Sequence, residues 1–279
     1  MGVHTGQRVR LAIRPAPTGT GIVFIRTDVT DRDNRIRVTG DAVVDARLNT
    51  MIENAAGVQL STIEHLMAAF CALGVSNAIV EVDGPELPIL DGSALPFVQL
   101  LDRAGFRRQG APVRYIEILE PIHVTEGDKH AALLPCDRYE MRFEIDFDNA
   151  VVGNQVIDFV VDEQTFRDEI MAARTFGFAH EVEALRQAGL ARGGSLENAV
   201  VIDGDDILNP GGLRMEREFV RHKALDAIGD LYVLGAPLLG RYEGYKAGHA
   251  VNNRLVRALL AAPHAWREVV LEPQLARAG

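Results

Sequence analysis

Four segments of the sequence combine residue types suited to metal and proton chemistry. In Glu216–Leu234, His222, Asp226 and Asp230 recur every four positions, which lines them along one stripe of a helix. Phe219, Val220, Ala224, Ala227, Ile228 and Leu231 flank that stripe, and a His and two carboxylates are costly to bury there unpaired. A His and a carboxylate one turn apart can grip a metal ion; the same spacing also fits a solvent-facing stripe that happens to carry a His. In Ser61-Thr-Ile-Glu64-His65, Ser and Glu have the spacing of a capping box. Alternatively, Glu64 is a general base beside a metal-ligating His65. In Lys246-Ala-Gly248-His249-Ala-Val-Asn-Asn253, His249 is either a general acid for a departing amine or a neutral His at a helix start. Arg174-Thr175-Phe176-Gly177-Phe178 offers a hydroxyl to an oxyanion or plugs a core with aromatic rings.

These residues need elements to hold them. The first half reads as strands at Gln7–Ile13, Gly21–Arg26, Asp41–Ile52 and Asn77–Asp83. A helix over Thr62–Leu73 is closed by Gly74, and another over Ser93–Ala104 by Gly105. Arg107–Pro112 is the best linker. The second half reads as strands at Val113–Leu119, Ala131–Leu134, Tyr139–Phe147, Val156–Val161, Asn198–Ile202 and Leu238–Glu243. Helices are expected at Glu163–Ala173, His180–Ala188, Glu216–Leu234 and Ala250–Ala261. Runs of strands followed by helices indicate an α+β fold. Both halves carry a helix with an early His, a Leu-Gly end and a following strand. This echo predicts two domains of similar topology, 1–110 and 111–279, each a sheet layered against helices, with the active site at their interface.

Composition narrows the function. The net charge of -10 argues against general nucleic-acid binding, and an anionic substrate would need a local basic patch. No apolar run reaches the roughly 18 residues of a membrane span. The two cysteines, Cys71 and Cys136, lie far apart and form no CxxC pair, so we expect free thiols and a cytoplasmic protein. The basic residues are 26 Arg and only three Lys, at 129, 223 and 246. A Lys in such a chain is either chance or a position that needs a compact ammonium.

Taken in order, several segments resemble the bacterial UDP-3-O-acyl-N-acetylglucosamine deacetylase family, zinc-dependent enzymes that commit sugar nucleotides to lipid A synthesis. They are Gly2-Val-His-Thr-Gly6, Ser61-Thr-Ile-Glu-His-Leu66, Pro88-Ile-Leu-Asp-Gly-Ser93, Gly127-Asp-Lys129, Arg174–Phe178, Gly193-Gly-Ser195, His222-Lys-Ala-Leu-Asp-Ala-Ile-Gly-Asp230 and Lys246–Asn253. The resemblance implies one Zn2+ per chain on His65, His222 and Asp226, with Glu64 as the base that activates water. It implies His249 as the acid, Asp230 tuning its charge, and Thr175 steadying the oxyanion. Lys223 and Lys129 would meet polar and phosphate groups of a UDP-sugar substrate bearing an acyl chain. Leu48 and Phe176 would touch substrate, and Val182, Ala191, Leu196 and Val201 would line an acyl passage. A monomer is expected. The family carries a further stretch before its Gly-Val-His-Thr-Gly segment, so either the start is misplaced or the first sheet is incomplete. Two alternatives stay open: a zinc amidohydrolase for another N-acyl substrate, or a catalytically silent binding protein of the same fold.

Overall fold

The computed structural model describes residues 1–271. Its first part contains β1 (Leu11–Pro15), β2 (Ile22–Arg26), β3 (Arg35–Arg37), a 3-10 turn (Gly40–Ala42), β4 (Val43–Asp45), β5 (Met51–Glu53) and β6 (Gln59–Leu60). These are followed by α1 (Glu64–Ala72), β7 (Ala78–Val82) and α2 (Leu95–Ala104). A four-stranded sheet runs β1-β7-β2-β3, and a small sheet runs β4-β5-β6. In β7, Ala78, Val80 and Val82 are buried in alternation, the period of a strand with one face on the core. Every residue of α1 from Glu64 to Phe70 is buried, because α1 packs on both α2 and a helix of the second part.

The second part contains β8 (Val113–Ile118), β9 (Ile122–Glu126), β10 (Lys129–Leu134), β11 (Tyr139–Asp146), β12 (Asn154–Val160) and a short α3 (Glu163–Thr165) running into a π turn. Then come β13 (Phe176–Phe178), α4 (Ala179–Gln187), β14 (Val200–Asp203), β15 (Asp206–Ile207), α5 (Glu218–Leu231), β16 (Leu238–Tyr245), α6 (His249–Leu260) and β17 (Trp266–Leu271). The large sheet runs β12-β11-β16-β10-β9, with β8 pairing β16 and β17. Tyr139, Met141, Phe143 and Ile145 bury alternate positions of β11. Helices and sheets are thus both prominent, and the chain is a mixed α and β protein. No helix among the described residues is long and apolar enough to cross a membrane.

The two helices that echoed one another in the sequence meet side by side: α1 packs along α5. Their approach is so close that a Cβ added at Gly229 would lie 2.0 Å from the carbonyl oxygen of Glu64. Left-handed glycines follow both: Gly74, φ 67°, stops α1, and Gly235, φ 83°, stops the 3-10 turn Tyr232–Leu234 that continues α5, conformations that glycine adopts without steric cost.

Several elements depart from expectation. Asp41–Ile52 is not one strand but a 3-10 turn, β4 and β5, with a register shift between Val43 and Asp45. Glu163–Ala173 is one helical turn and a π turn, not a regular helix. β3, β6, β9, β15 and β17 were not anticipated.

Candidate metal centre

The site begins at the start of α1. Thr62 has a φ of 60°, and this left-handed turn makes Ile63, not Ser61, the residue that precedes the helix, with no side-chain cap. The Ser61 hydroxyl donates to the carbonyl of Pro85 at 3.3 Å. Glu64 does not reach back to Ser61; its Oε2 accepts the backbone N–H of Thr50 at 3.1 Å. The capping-box reading is therefore wrong. Glu64 is a buried carboxylate facing the interior.

Helix α5 supplies the opposing wall. His222 and Asp226 are one turn apart and nearly inaccessible, and the crossing at Gly229 brings His65 against them. The Nε2 atoms of His65 and His222 each lie 3.4 Å from Asp226 Oδ1. The two rings meet edge to face at 5.1 Å. One ligand atom from each of His65, His222 and Asp226 falls within 4.8 Å of the other two. Asp226 Oδ1 is buried and accepts no well-formed hydrogen bond, a costly state for a carboxylate oxygen. A cation between the three residues would satisfy it.

Protonation states suit such an ion. Burial lowers the pKa of His222 to about 4, more than Asp226 can restore. The ring is therefore neutral near pH 7, and since His222 Nδ1 lies 3.0 Å from the carbonyl of Ala173, Nδ1 carries the hydrogen and Nε2 offers its lone pair. Burial opposes ionisation of Asp226, but nearby positive charge, that of Lys223 and His249 when His222 is neutral, outweighs it and holds its pKa well below the ordinary carboxylate value. Lys223 Nζ donates to Asp226 Oδ2 at 3.3 Å.

Two buried titratable groups, Glu64 and His249, flank the cluster. Burial raises the pKa of Glu64, with His249 and His65 acting against it. His249, the first residue of α6, places Nδ1 3.0 Å from Asp230 Oδ2 and Nε2 3.9 Å from Asp226 Oδ2. Burial works to lower the His249 pKa, but Asp230 and Asp226 overcome it and hold it up to about 9.

The family model described as UDP-3-O-acyl N-acetylglycosamine deacetylase matches residues 1–261. The chain belongs to this family. A UDP-3-O-acyl-N-acetylglucosamine deacetylase of Phenylobacterium zucineum (strain HLK1) is 64% identical over 278 residues, covering 100% of this chain and 95% of that protein. One from Shewanella sp. (strain W3-18-1) is 49% identical over 276 residues, 98% of this chain and 90% of the relative.

The other expected residues of this deacetylase-family chain are distributed as follows. Thr175 is fixed by its backbone: its N–H donates to Gly92 and its carbonyl accepts from Val200, both at 2.8 Å. It lies two residues from Ala173, which orients His222. Phe176 packs edge to face on Phe219 at 4.8 Å, and Lys223 Nζ lies 5.8 Å from its centroid. Lys129 is exposed at the start of β10. Leu48 is exposed, two residues before Thr50. Val182 faces Gly177, where a Cβ would lie 3.6 Å from Val182 Cγ2. Ala191 is buried in a left-handed conformation, φ 50°. Val201 is half-buried and Leu196 exposed.

Sequence reasoning missed the residues that lock these groups together. Thr50 joins Glu64 to Asp230, its hydroxyl donating to Asp230 Oδ1 at 2.6 Å. Asn252 donates to Asp230 Oδ2 at 2.8 Å and accepts from the Tyr242 hydroxyl at 2.7 Å. Arg174 and the wholly buried Glu218 pair at 2.7 Å, holding the chain that delivers Ala173. Asn252 was within reach, since three residues after His249 it shares that helix face. Thr50 and Tyr242 gave no local signal.

Proposed function

We propose that this chain removes the N-acetyl group from a UDP-3-O-acyl-N-acetylglucosamine, the committed step of lipid A synthesis, as a monomeric cytoplasmic enzyme carrying one zinc ion. Membership of the family supports the reaction. The observation that carries it at the level of atoms is the unsatisfied Asp226 Oδ1 held 3.4 Å from two imidazole Nε2 atoms, between a buried carboxylate and a charged imidazole. The domain reading remains 1–110 and 111–279, with the site between them. It is supported by the absence, among the described residues, of any strand ladder joining the two stretches. Glu64 and His65 come from the first, and His222, Asp226 and His249 from the second.

His65, His222 and Asp226 would hold the zinc, whose Lewis acidity polarises the amide carbonyl and acidifies water. Glu64, as the carboxylate, takes a proton from the attacking water. Its raised pKa makes it a stronger base than an exposed Glu. His249 enters the reaction protonated, because Asp230 grips Nδ1 and leaves Nε2–H to be given to the departing amine. Without that proton the amine is a poor leaving group. Thr175 meets the oxyanion. Lys223 reads a polar group of the sugar beside Phe176, and Lys129 meets the diphosphate. Helix α4 packs on β13 and β14 yet buries none of its residues fully. That leaves room for an acyl chain along Val182, with Ala191, Leu196 and Val201 further along and Leu48 touching the sugar end.

Metal-free protein should be inactive and regain activity at one zinc per chain, and the 3-O-acylated sugar nucleotide should be cleaved far faster than the unacylated one. Full activity without metal would overturn the zinc assignment. Indifference to the acyl group would point to another N-acyl substrate.

A further inference from the structure

Glu86 lies in the loop between β7 and α2, and none of the chemistry above uses it. It is wholly buried, a poor environment for a carboxylate unless donors meet its oxygens. Four do so. They are the backbone N–H groups of His4 at 2.9 Å and Thr5 at 2.8 Å, the Thr5 hydroxyl at 2.7 Å and the Thr62 hydroxyl at 3.1 Å. The loop itself pairs with the chain before α1, since Leu87 N–H donates to Ser61 and Ser61 N–H to Pro85, each at 3.0 Å. One carboxylate thus joins the N-terminal segment, the 85–87 loop and the turn that starts α1.

That turn is the informative partner. Thr62, with its φ of 60°, is β-branched, and such residues enter the left-handed region only where their surroundings hold them there. The bond from its hydroxyl to Glu86 is such a hold. Thr62 stands two residues before Glu64 and three before His65, so its dihedral sets the direction in which α1 leaves the loop. Released from Glu86, Thr62 would relax and swing the start of the helix.

We infer that Glu86 is a positioning residue of the reaction: acting through Thr62, it fixes the aim of Glu64 and His65, and through His4 and Thr5 it docks the N-terminal segment beside the same site. The docked segment reaches further, because Val3 accepts the N–H of Gly193 at 3.0 Å and His4 that of Arg192 at 3.2 Å. Burial lowers the pKa of His4, Glu86 opposes this, and the charge of His249 adds to the lowering.

The kinetic arm of the test rests on the deacetylase reading; the metal arm does not. Cobalt(II) is titrated into the metal-free protein and followed by visible absorption, and kcat and KM are measured on the zinc enzyme with the acylated sugar nucleotide. Glu86→Gln and Thr62→Ala should each weaken cobalt affinity and lower kcat by about 10–100-fold, while Thr62→Ser stays within about threefold of wild type. A role in folding alone would lower the melting temperature and leave both readouts unchanged below it, which would overturn the inference. If Glu86→Gln fails to fold, the Thr62→Ala and Thr62→Ser pair decides. If the unsubstituted protein binds cobalt but does not cleave the sugar nucleotide, the deacetylase reading fails, and the cobalt titrations still decide the role of Glu86.

Discussion

Replacing Gly229 by Ala sets two effects of opposite sign against each other. Gly229 lies inside α5, and Gly→Ala in a helix interior is ordinarily worth about 0.5–1 kcal/mol of stabilisation. The crossing with α1 reverses that expectation. A Cβ on Gly229 would lie 2.0 Å from the carbonyl oxygen of Glu64, 2.7 Å from its carbonyl carbon and 3.0 Å from its Cα. Real Cβ contacts do not fall below 3.0 Å, so the oxygen must retreat by 3.0 minus 2.0, about 1 Å, merely to reach a tight contact. All three atoms are backbone, so no side-chain rotation relieves the clash. Overpacking of this kind costs about 1–3 kcal/mol. Set against the propensity gain, a net loss on the order of 1–2 kcal/mol remains. The larger effect is on chemistry. The displaced atoms belong to Glu64 and carry His65 away from ligand atoms that lie within 4.8 Å of one another. A shift of about 1 Å at a reacting group costs about 10²-fold in rate. We therefore expect Gly229→Ala to melt somewhat lower, bind zinc more weakly and lose about 10²-fold in kcat/KM at temperatures where it is fully folded. Thermal melts, metal analysis and kinetics on one preparation suffice. A raised melting temperature with wild-type turnover would show that α1 and α5 do not approach as closely as described.

Glu64→Ala should keep the metal and lose about 10²–10⁴ in kcat; loss of the metal instead would make Glu64 a ligand or a structural support. On the proposed roles, Glu64 acts ionised and His249 protonated, so kcat/KM should rise with pH through the burial-raised Glu64 pKa and fall again above the His249 pKa. The His249 pKa is held up to about 9 before a dication adds its repulsion. His249→Ala should abolish the falling limb, and a profile that keeps it would assign that limb elsewhere. Lys223→Arg should cost about tenfold or more, because Lys223 Nζ donates to Asp226 and a planar fork cannot fill the same space. Lys129→Arg should be milder. Lys246 is ion-paired with Asp128 at 3.1 Å and Asp146 at 3.2 Å, so Lys246→Ala should raise KM by loosening the Gly127–Asp128 turn beside Lys129 and leave kcat nearly unchanged. Wild-type constants for Lys→Arg at all three positions would show that the scarcity of lysine carries no information.

What the sequence displayed and what it hid follow from how far apart the interacting groups are. His222 and Asp226 were legible because helical spacing alone puts them on one face, and Glu64 and His65 because they adjoin. The clean alternation of β11 and the left-handed glycine stops at Gly74 and Gly235 were legible for the same local reason. β3, β6 and β15 have only two or three residues, too few for a period to declare itself, and they exist because neighbouring strands supply partners. The capping-box reading failed on one dihedral: the spacing of Ser61 and Glu64 is right, but the φ of 60° at Thr62 turns the chain and frees Glu64 to face Thr50. That dihedral is in turn held by Glu86, 24 residues away, just as Asp230 is held by Thr50 from 180 residues away. The resemblance could name the groups proposed to react. The groups that aim them are fixed by hydrogen bonds between distant stretches, and a buried Glu in a proline-rich loop carries no local mark of such a role. Residues of this second kind are where substitutions apparently remote from the chemistry should alter turnover without altering the metal ligands themselves.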